Sequence, residues 1–163
     1  MSTDVIEIVQ ADLSREDHQR HVVDLIDAYA QDPMGNGGAL PIEVKRDLIG
    51  GLSRHPTTLI FLAFNRGEAV GIAVCFIGFS TFAARCLINI HDLAVLPGWR
   101  GRGIGSRLLA AVEHKALEMD CCKVTLEVLE NNHRAMHVYA AAGFAQAVYE
   151  GEGGAALFFA KKL

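Results

Sequence analysis

Apolar and polar positions follow two different periods along the chain, and these periods predict the order of strands and helices. Residues 5–9 alternate between apolar and polar side chains, which predicts a first strand. Apolar residues then recur at helical spacing over residues 14–30 and again from Pro41 to about residue 52. Between these stretches, residues 32–38 contain a proline and three glycines, so we expect a loop there.

The middle of the chain predicts strands. Residues 58–64 and 69–76 are apolar runs around a polar turn, which predicts a hairpin, and residues 87–96 predict a third strand that Pro97 ends. The remaining elements are a helix over residues 103–119, a strand over 123–129, a helix over about 132–142 and a closing strand pair over 144–149 and 155–160. This mixed order predicts an α+β or α/β sheet with helices on both faces, because a doubly wound fold would alternate strictly.

Length and composition limit the class of protein. The 163 residues fit one domain spanning residues 1–163. A hydrophobic fraction of 51% argues against disorder, and a net charge of −4 argues against a general nucleic-acid partner. The four cysteines form no Cys-x-x-Cys pair, so we expect reduced thiols rather than a zinc or redox motif. The N-terminus does not resemble a signal peptide and the apolar runs are short, so we expect a cytoplasmic protein without a membrane partner.

A glycine-rich turn lies between the predicted strand at residues 87–96 and the helix that follows it. Arg100, Arg102 and Arg107 lie within eight positions of this segment of an acidic chain. Glycines allow close backbone approach to a ligand, and the free N–H groups at a helix start favour a bound phosphate. The glycine spacing matches neither a dinucleotide-binding fingerprint nor a Walker A loop. The turn is therefore either an anion site of another kind or a plain turn with solvated arginines.

A second segment, residues 131–144, carries a tyrosine on a predicted helix. Ala135 and Tyr139 are four residues apart and share a helical face. A phenol there either donates a proton or only packs. His133 and His137 share the same spacing, but no third ligand accompanies them, so we expect no metal site.

Together, the two segments resemble the GNAT superfamily of N-acetyltransferases, which bind acetyl-coenzyme A. The first family pattern, Arg/Gln-x-x-Gly-x-Gly/Ala, is matched by Arg100, Gly103 and Gly105. The second, Asn-x-x-Ala-x-x-x-Tyr-x-x-x-Gly-Phe, is matched by Asn132, Ala135, Tyr139, Gly143 and Phe144. Within the superfamily, residues 91–144 are most similar to diamine and thialysine acetyltransferases.

The resemblance implies a fold and a coenzyme site. The expected fold is a central, mostly antiparallel, splayed sheet of about seven strands with helices on both faces. The pantetheine arm would pair with the backbone of Leu93, Ala94 and Val95, and Asn132 would bond the same arm. The pyrophosphate would be cradled by the backbone of Arg100, Gly101, Arg102, Gly103, Ile104, Gly105 and Ser106.

The resemblance also implies an acetyl transfer to a primary amine by direct attack. Tyr139 would protonate the departing thiolate. His91, where diamine acetyltransferases have Glu, is the expected general base, because an imidazole titrates near neutral pH. By family analogy, the candidates for contact with the amine are Tyr29, Asp32, Phe79 and Asp92.

The sequence is compatible with three hypotheses about the activity. A small-molecule N-acetyltransferase comes first, an acetyltransferase for protein lysines or N-termini second, and a coenzyme A-binding module without catalysis third. The family resemblance and the apolar run at residues 157–160 also lead us to expect a homodimer.

Overall fold

The computed structural model describes residues 5–149 and 153–163. Its strands are β1 (Ile6–Gln10), β2 (Thr58–Asn65), β3 (Glu68–Ser80), β4 (Arg85–Val95), β5 (Lys123–Leu126), β6 (Val148–Tyr149) and β7 (Gly154–Ala155). Its helices are α1 (Glu16–Gln31), α2 (Ile42–Arg54), α3 (Ile104–Glu118) and α4 (His133–Ala141). A short 3-10 turn, Pro97–Trp99, lies between β4 and α3. None of the described helices combines the length and the apolar composition needed to cross a membrane.

The main sheet has the order β1-β2-β3-β4-β5; its first four strands are antiparallel, and β5 is parallel to β4. The predicted α+β class and the mostly antiparallel sheet are confirmed. The strand count was wrong, since the main sheet contains five strands rather than about seven. β6 and β7 pair only with each other, over two residues each. Residues 144–147 and 156–160 form no strand, because an apolar run becomes a strand only where a partner edge takes its backbone hydrogen bonds. The predicted strand over residues 123–129 likewise ends at Leu126.

Two hydrophobic cores lie on opposite faces of the sheet, as the predicted two-faced arrangement requires. Along β2, Leu59 and Phe61 belong to the core that contains α3, whereas Ile60 and Leu62 belong to the core that contains α1. Side chains alternate between the faces of a strand, so one apolar run can serve both cores. The helical faces supply Val22 and Leu25 from α1, and Ile104, Leu108 and Val112 from α3.

β4 separates from β5 half-way along its length. The parallel pairing covers only Leu87 to Ile90 of β4, opposite the whole of β5, whereas β4 itself continues to Val95. From His91 onward, no strand of the described residues therefore pairs with the side of β4 that faces β5. The peptide groups on this side are available to a ligand, because unpaired backbone N–H and C=O groups need a hydrogen-bonding partner.

A bulge in β4 starts at the same position. Cys75 of β3 pairs with Ile90, and its neighbour Val74 pairs with Asp92, so His91 is the extra residue. Asp92 lies opposite Val74 on the α1 face of the sheet. The His91 ring packs edge-on against Phe76 of the same face, with 5.6 Å between ring centroids. The bulge thus places two consecutive side chains on one face, which a regular strand would not do.

Gly71 of β3 allows α3 to approach the end of β4. A Cβ at this position would lie 3.2 Å from the carbonyl oxygen of Ala94 and 3.3 Å from Cγ2 of Ile104. The first turn of α3 is consequently packed close to the free part of β4.

Candidate active site

A cavity of about 980 Å³ runs along the free edge of β4. Its walls come from α1 and the loop after it, from the end of β4, from the turn before α3, from residues 126–129, from α4 and from Phe158. The cavity therefore joins the start of α3 to the bulge of β4. Both segments that the sequence singled out for chemistry, the glycine-rich turn and residues 131–144, contribute to it.

The start of α3 provides backbone donors for an anion. Gly101 and Gly103 have φ of 75° and 73°, values that favour glycine, and Gly103 is the N-cap of α3 without a side-chain capping bond. A Cβ at either glycine would meet nothing within 4 Å, so the turn is open to the cavity. Ile104, Gly105 and Ser106 line the wall next to it. The first amides of a helix have no partner within the helix and carry the positive end of its dipole, so this wall suits a phosphate.

The arginines of this turn are held by the protein itself. Nε of Arg100 donates to the Val95 carbonyl at 2.9 Å, and its Nη2 donates to Oδ2 of Asp32 at 2.5 Å. The Arg102 guanidinium lies 4.7 Å from the centroid of the Trp99 ring and also donates to the Gly98 carbonyl. Arg102 is not part of the cavity wall, whereas Arg100 is.

Asp32 has a different environment from the one expected of an amine ligand. Its Oδ2 accepts from Arg100, and its Oδ1 accepts from the backbone N–H of Met34 at 2.8 Å. The hydrogen bond from Arg100, followed by the one from Met34, lowers the pKa of Asp32. Asp32 is thus a carboxylate that is ionised at neutral pH and has both oxygens engaged.

Asp92 is the opposite case within the same cavity. Burial raises the pKa of this half-buried carboxyl, and the neighbouring His91 only partly opposes the effect. No described residue donates a hydrogen bond to it. His91 beside Asp92 is exposed. Tyr29 of α1 lies close to Asp92: burial raises the pKa of its phenol most, and the negative charges of Asp92 and Asp32 raise it further. An unpaired carboxyl in a cavity is suited to a cationic ligand that supplies the missing partner.

Tyr139 lies on the other side of the cavity, on α4. Asn132 begins this helix as its N-cap, since its Oδ1 accepts from the backbone N–H of Ala135 at 3.2 Å. The Tyr139 ring packs against Phe144 at 6.1 Å, and burial raises the pKa of the phenol to about 12. The phenol therefore remains protonated at neutral pH and can act as a hydrogen-bond donor.

The structure brings together all but two of the residues that the sequence proposed. Phe79 and Arg102 lie outside the cavity wall, and Phe79 is 65% exposed near the end of the β3–β4 hairpin. The family resemblance implied that the loop over residues 31–40 lines the amine pocket but did not single out Met34 and Leu40, which reach the cavity because this loop folds back onto α1. Arg134 and His137 were also missed, although both lie within the second motif. No three His, Cys, Asp or Glu side chains of the described part of the chain are grouped to hold a metal ion.

Comparison with known proteins settles the family. The profile of the Acetyltransferase (GNAT) family matches residues 12–144. The chain belongs to this family. A thialysine N-epsilon-acetyltransferase of Bos taurus is 40% identical to this GNAT chain over 84 residues, which cover 52% of the chain and 48% of the relative. The N-alpha-acetyltransferase MAK3 of Arabidopsis thaliana is 38% identical over 89 residues, with 55% and 46% covered.

The GNAT chain spans about half the length of the curated relatives that it matches. Among solved structures, the aminoglycoside N-acetyltransferase AAC(6')-Iy in complex with CoA covers 99% of this chain and 98% of its own, with a TM-score of 0.73 and 20% identity. At that identity the likeness shows the fold alone. The splayed sheet is thus the fold shared with this acetyltransferase.

Replacement of the Asp92 carboxylate by a neutral side chain should stabilise the folded protein, by an amount that depends on the pH. Because its pKa is raised on folding, the folded state loses stability as the pH rises from the unfolded pKa through the folded one. Asp92→Asn should therefore raise the free energy of unfolding at pH 7, and the gain should shrink near about pH 4, where an ordinary Asp becomes protonated. Urea denaturation at both pH values measures the difference.

Asp27→Asn is the matched control, because hydrogen bonds from Lys45 and from the backbone of Leu40 lower the pKa of Asp27. This carboxylate contributes stability above its unfolded pKa, and the contribution is lost as the pH falls through the folded value. The control should therefore be less stable than the wild type, and this loss in the free energy of unfolding should be larger at pH 7 than at pH 4. An Asp92→Asn protein with the same sign and pH dependence as the control would contradict the assigned environment.

Proposed function

We propose that the protein is an acetyl-coenzyme A-dependent N-acetyltransferase that moves the acetyl group to a primary amine by direct attack. The observation that carries the proposal is the cavity along the free edge of β4, which connects the start of α3, with its free backbone amides, to the bulged pair His91 and Asp92. Family membership and the names of the relatives support the same reaction.

The described residues fit the parts of the coenzyme in order along the cavity. The backbone of residues 100–106 would hold the pyrophosphate, because Gly103 exposes the first amides of α3. The free edge of β4 at Leu93, Ala94 and Val95 would pair with the amides of the pantetheine arm. Asn132 uses its Oδ1 as a helix cap, so its NH₂ group is the donor towards the arm. The bound coenzyme would supply an acetyl thioester.

The acceptor amine would lie on the α1 face of β4. Asp92 would pair with the arriving ammonium group, which compensates the burial of this carboxyl. His91, exposed beside it, would accept one ammonium proton and pass it to solvent. The nitrogen then forms its bond to the acetyl carbon while the carbon–sulfur bond breaks.

Tyr139 would act as the general acid for the departing sulfur. Its phenol donates a proton to the thiolate, and the second proton shed by the nitrogen restores the phenol. The net reaction therefore releases one proton and yields the amide and the free thiol. Backbone N–H groups on the free edge of β4 would stabilise the charge on the carbonyl oxygen.

A small amine is the acceptor class that we favour. Met34, Asn36 and Leu40 of the loop after α1 line the acceptor end of the cavity, so this end is enclosed laterally by the loop. The thialysine acetyltransferase relative supports a small substrate, whereas the N-alpha-acetyltransferase relative keeps a peptide N-terminus as the second candidate. The deciding experiment measures thiol release from acetyl-coenzyme A with polyamines, amino acids, aminoglycosides and peptides as acceptors. Coenzyme binding without release for any amine would favour a non-catalytic module.

The same proposal includes a cytoplasmic homodimer. The apolar side chains of residues 157–159 are strongly exposed in the single chain, with Phe159 83% exposed. Burial of these residues by a second copy would remove a large apolar patch from water.

The first prediction of the proposed function tests the helix start with two variants of equal size. Gly103→Asp and Gly103→Asn place the same volume at φ 73°, a conformation that both residues tolerate better than most. The added charge of Asp should abolish measurable coenzyme A binding in calorimetry, because it opposes the pyrophosphate. The Asn variant should lose about tenfold or less in affinity. Equal affinities for the two folded variants would show that no phosphate binds there.

The second prediction concerns Tyr139. Tyr139→Phe keeps the packing on Phe144 but removes the donor, so kcat should fall by about 10²–10⁴-fold. The KM for acetyl-coenzyme A should hardly change. Tyr29→Phe removes the other phenol of the cavity and should act mainly on the KM of the amine. Full activity of Tyr139→Phe would assign the proton to water or to another side chain.

The third prediction concerns His91 as the base. His91→Ala should flatten the acidic limb of the pH–kcat/KM profile and slow the reaction most at neutral pH. Acceptors whose amine is already neutral at the assay pH should be affected least. His55→Ala is the control, because His55 packs against the same Phe76 ring at 4.9 Å but lies outside the cavity wall. An unaltered profile for His91→Ala would remove His91 from the mechanism and leave Asp92 or Glu127.

The fourth prediction concerns assembly. Light scattering at micromolar concentration should give twice the 17.6 kDa of one chain. Phe158→Ser combined with Phe159→Ser should give the single-chain mass, whereas Phe82→Ser, at an even more exposed phenylalanine of the β3–β4 hairpin, should leave the dimer intact. A wild-type mass of one chain would contradict the dimer.

A further inference from the structure

The ion pair between Asp32 and Arg100 joins the two halves of the cavity wall. Asp32 is the first residue after α1, in the loop that walls the acceptor end, and Arg100 belongs to the turn before α3. The two are 68 residues apart in the chain and only 2.5 Å apart between Nη2 and Oδ2. The carboxylate is 10% exposed and the guanidinium 26%, so water screens this pair much less than a surface pair.

The loop attached to Asp32 has a defined shape of its own. The amides of Gly35 and Gly37 donate to the Asp32 carbonyl, and those of Asn36 and Gly38 donate to the Ala30 carbonyl. A Cβ at Gly35 would lie 2.1 Å from the carbonyl oxygen of Tyr29, so the loop is folded tightly against the end of α1. The loop is thus one compact unit, and the Asp32 carboxylate is its ionic link to the coenzyme turn.

Arg100 makes the ion pair with Asp32 through its side chain, so its backbone amide is not used in this contact. Its Nε is anchored to the Val95 carbonyl at the end of β4, which fixes the guanidinium beside the free edge. One guanidinium group therefore bonds both to the end of β4 and to the loop after α1. Both oxygens of Asp32 are engaged, by Arg100 and by the Met34 N–H, so the charge of this carboxylate is already paired and an ammonium group would have to share it with Arg100.

We propose that Asp32 is a positioning residue that holds the acceptor wall against the coenzyme turn through Arg100, rather than a residue that binds the amine. The proposal rests on the proposed acetyltransferase function. It assigns recognition of the ammonium group to Asp92, because that carboxyl has no hydrogen-bond donor among the described residues. It also gives the arginine of the glycine-rich motif a side-chain role that is separate from phosphate binding.

A double-mutant cycle of Asp32→Asn and Arg100→Gln tests the proposal. If Asp32 acts through Arg100, each single variant should raise the KM of the amine about tenfold, and the double variant should be no worse than either one. Asp32→Glu, which can still reach the guanidinium, should restore most of the loss. Asp32→Asn should leave the KM of acetyl-coenzyme A within about threefold, because removing this carboxylate takes no donor from the phosphate wall.

Two outcomes would overturn the assignment. Additive effects, or an amine KM raised by Asp32→Asn but not by Arg100→Gln, would mean that Asp32 contacts the amine directly. An unchanged amine KM in both single variants would mean that the pair does not position the wall. Asp120→Asn is the control, because it removes an exposed carboxylate from the Arg85 ion pair at the far end of β4.

Amide hydrogen exchange separates this proposal from the acetyltransferase function. The amides of Gly35, Asn36 and Gly38 should exchange at least tenfold faster in Asp32→Asn than in the wild type, whatever the protein catalyses. Unchanged exchange there would overturn the proposal even in an active enzyme. Faster exchange in a protein that acetylates no amine would instead mean that the wall is held as proposed and that the function is wrong.

Discussion

The separation of β4 from β5 after Ile90 is the constraint on which the site depends. Up to that point the two strands are parallel neighbours, and the Asn89 side chain reaches Thr125 across them at 3.1 Å. Beyond it, β4 keeps its pairing with β3 on one side, and on the other side it pairs with no strand in the part of the chain that the structure describes. A backbone edge without a partner would be costly inside a protein, so it has to face either water or a ligand. The cavity gives this edge its access to both.

The bulge at His91 adds the chemistry to this architecture. The extra residue puts His91 and Asp92 on one face, opposite Tyr29 of α1, while Leu93 returns to the α3 core. Two aspartates in the same cavity then acquire different properties from their surroundings. Arg100 lowers the pKa of Asp32, and burial raises the pKa of Asp92. The first can hold the wall because it is already paired, and the second can receive a cation because it is not.

Much of this site could be predicted from the sequence, because its motifs are local. The glycine spacing at residues 101–105 specifies the positive φ of Gly101 and Gly103, and Asn132 is a favourable helix cap three residues before Ala135. The partners of these motifs are not local. The pairing of Asp32 with Arg100 depends on how the loop after α1 folds back, and the inward position of Met34 depends on the same loop. Asp32 was consequently expected at the amine, although its carboxylate is engaged by Arg100.

In the proposed complex, the coenzyme lies along the free edge of β4 and ends at the start of α3. Amide hydrogen exchange with and without saturating coenzyme A tests this placement most directly, with binding confirmed by calorimetry in the same buffer. Bound coenzyme should slow exchange at residues 93–95 and 104–106 and leave exchange in the central β2–β3 ladder unchanged. Coenzyme A that binds without slowing exchange in either segment would contradict this placement.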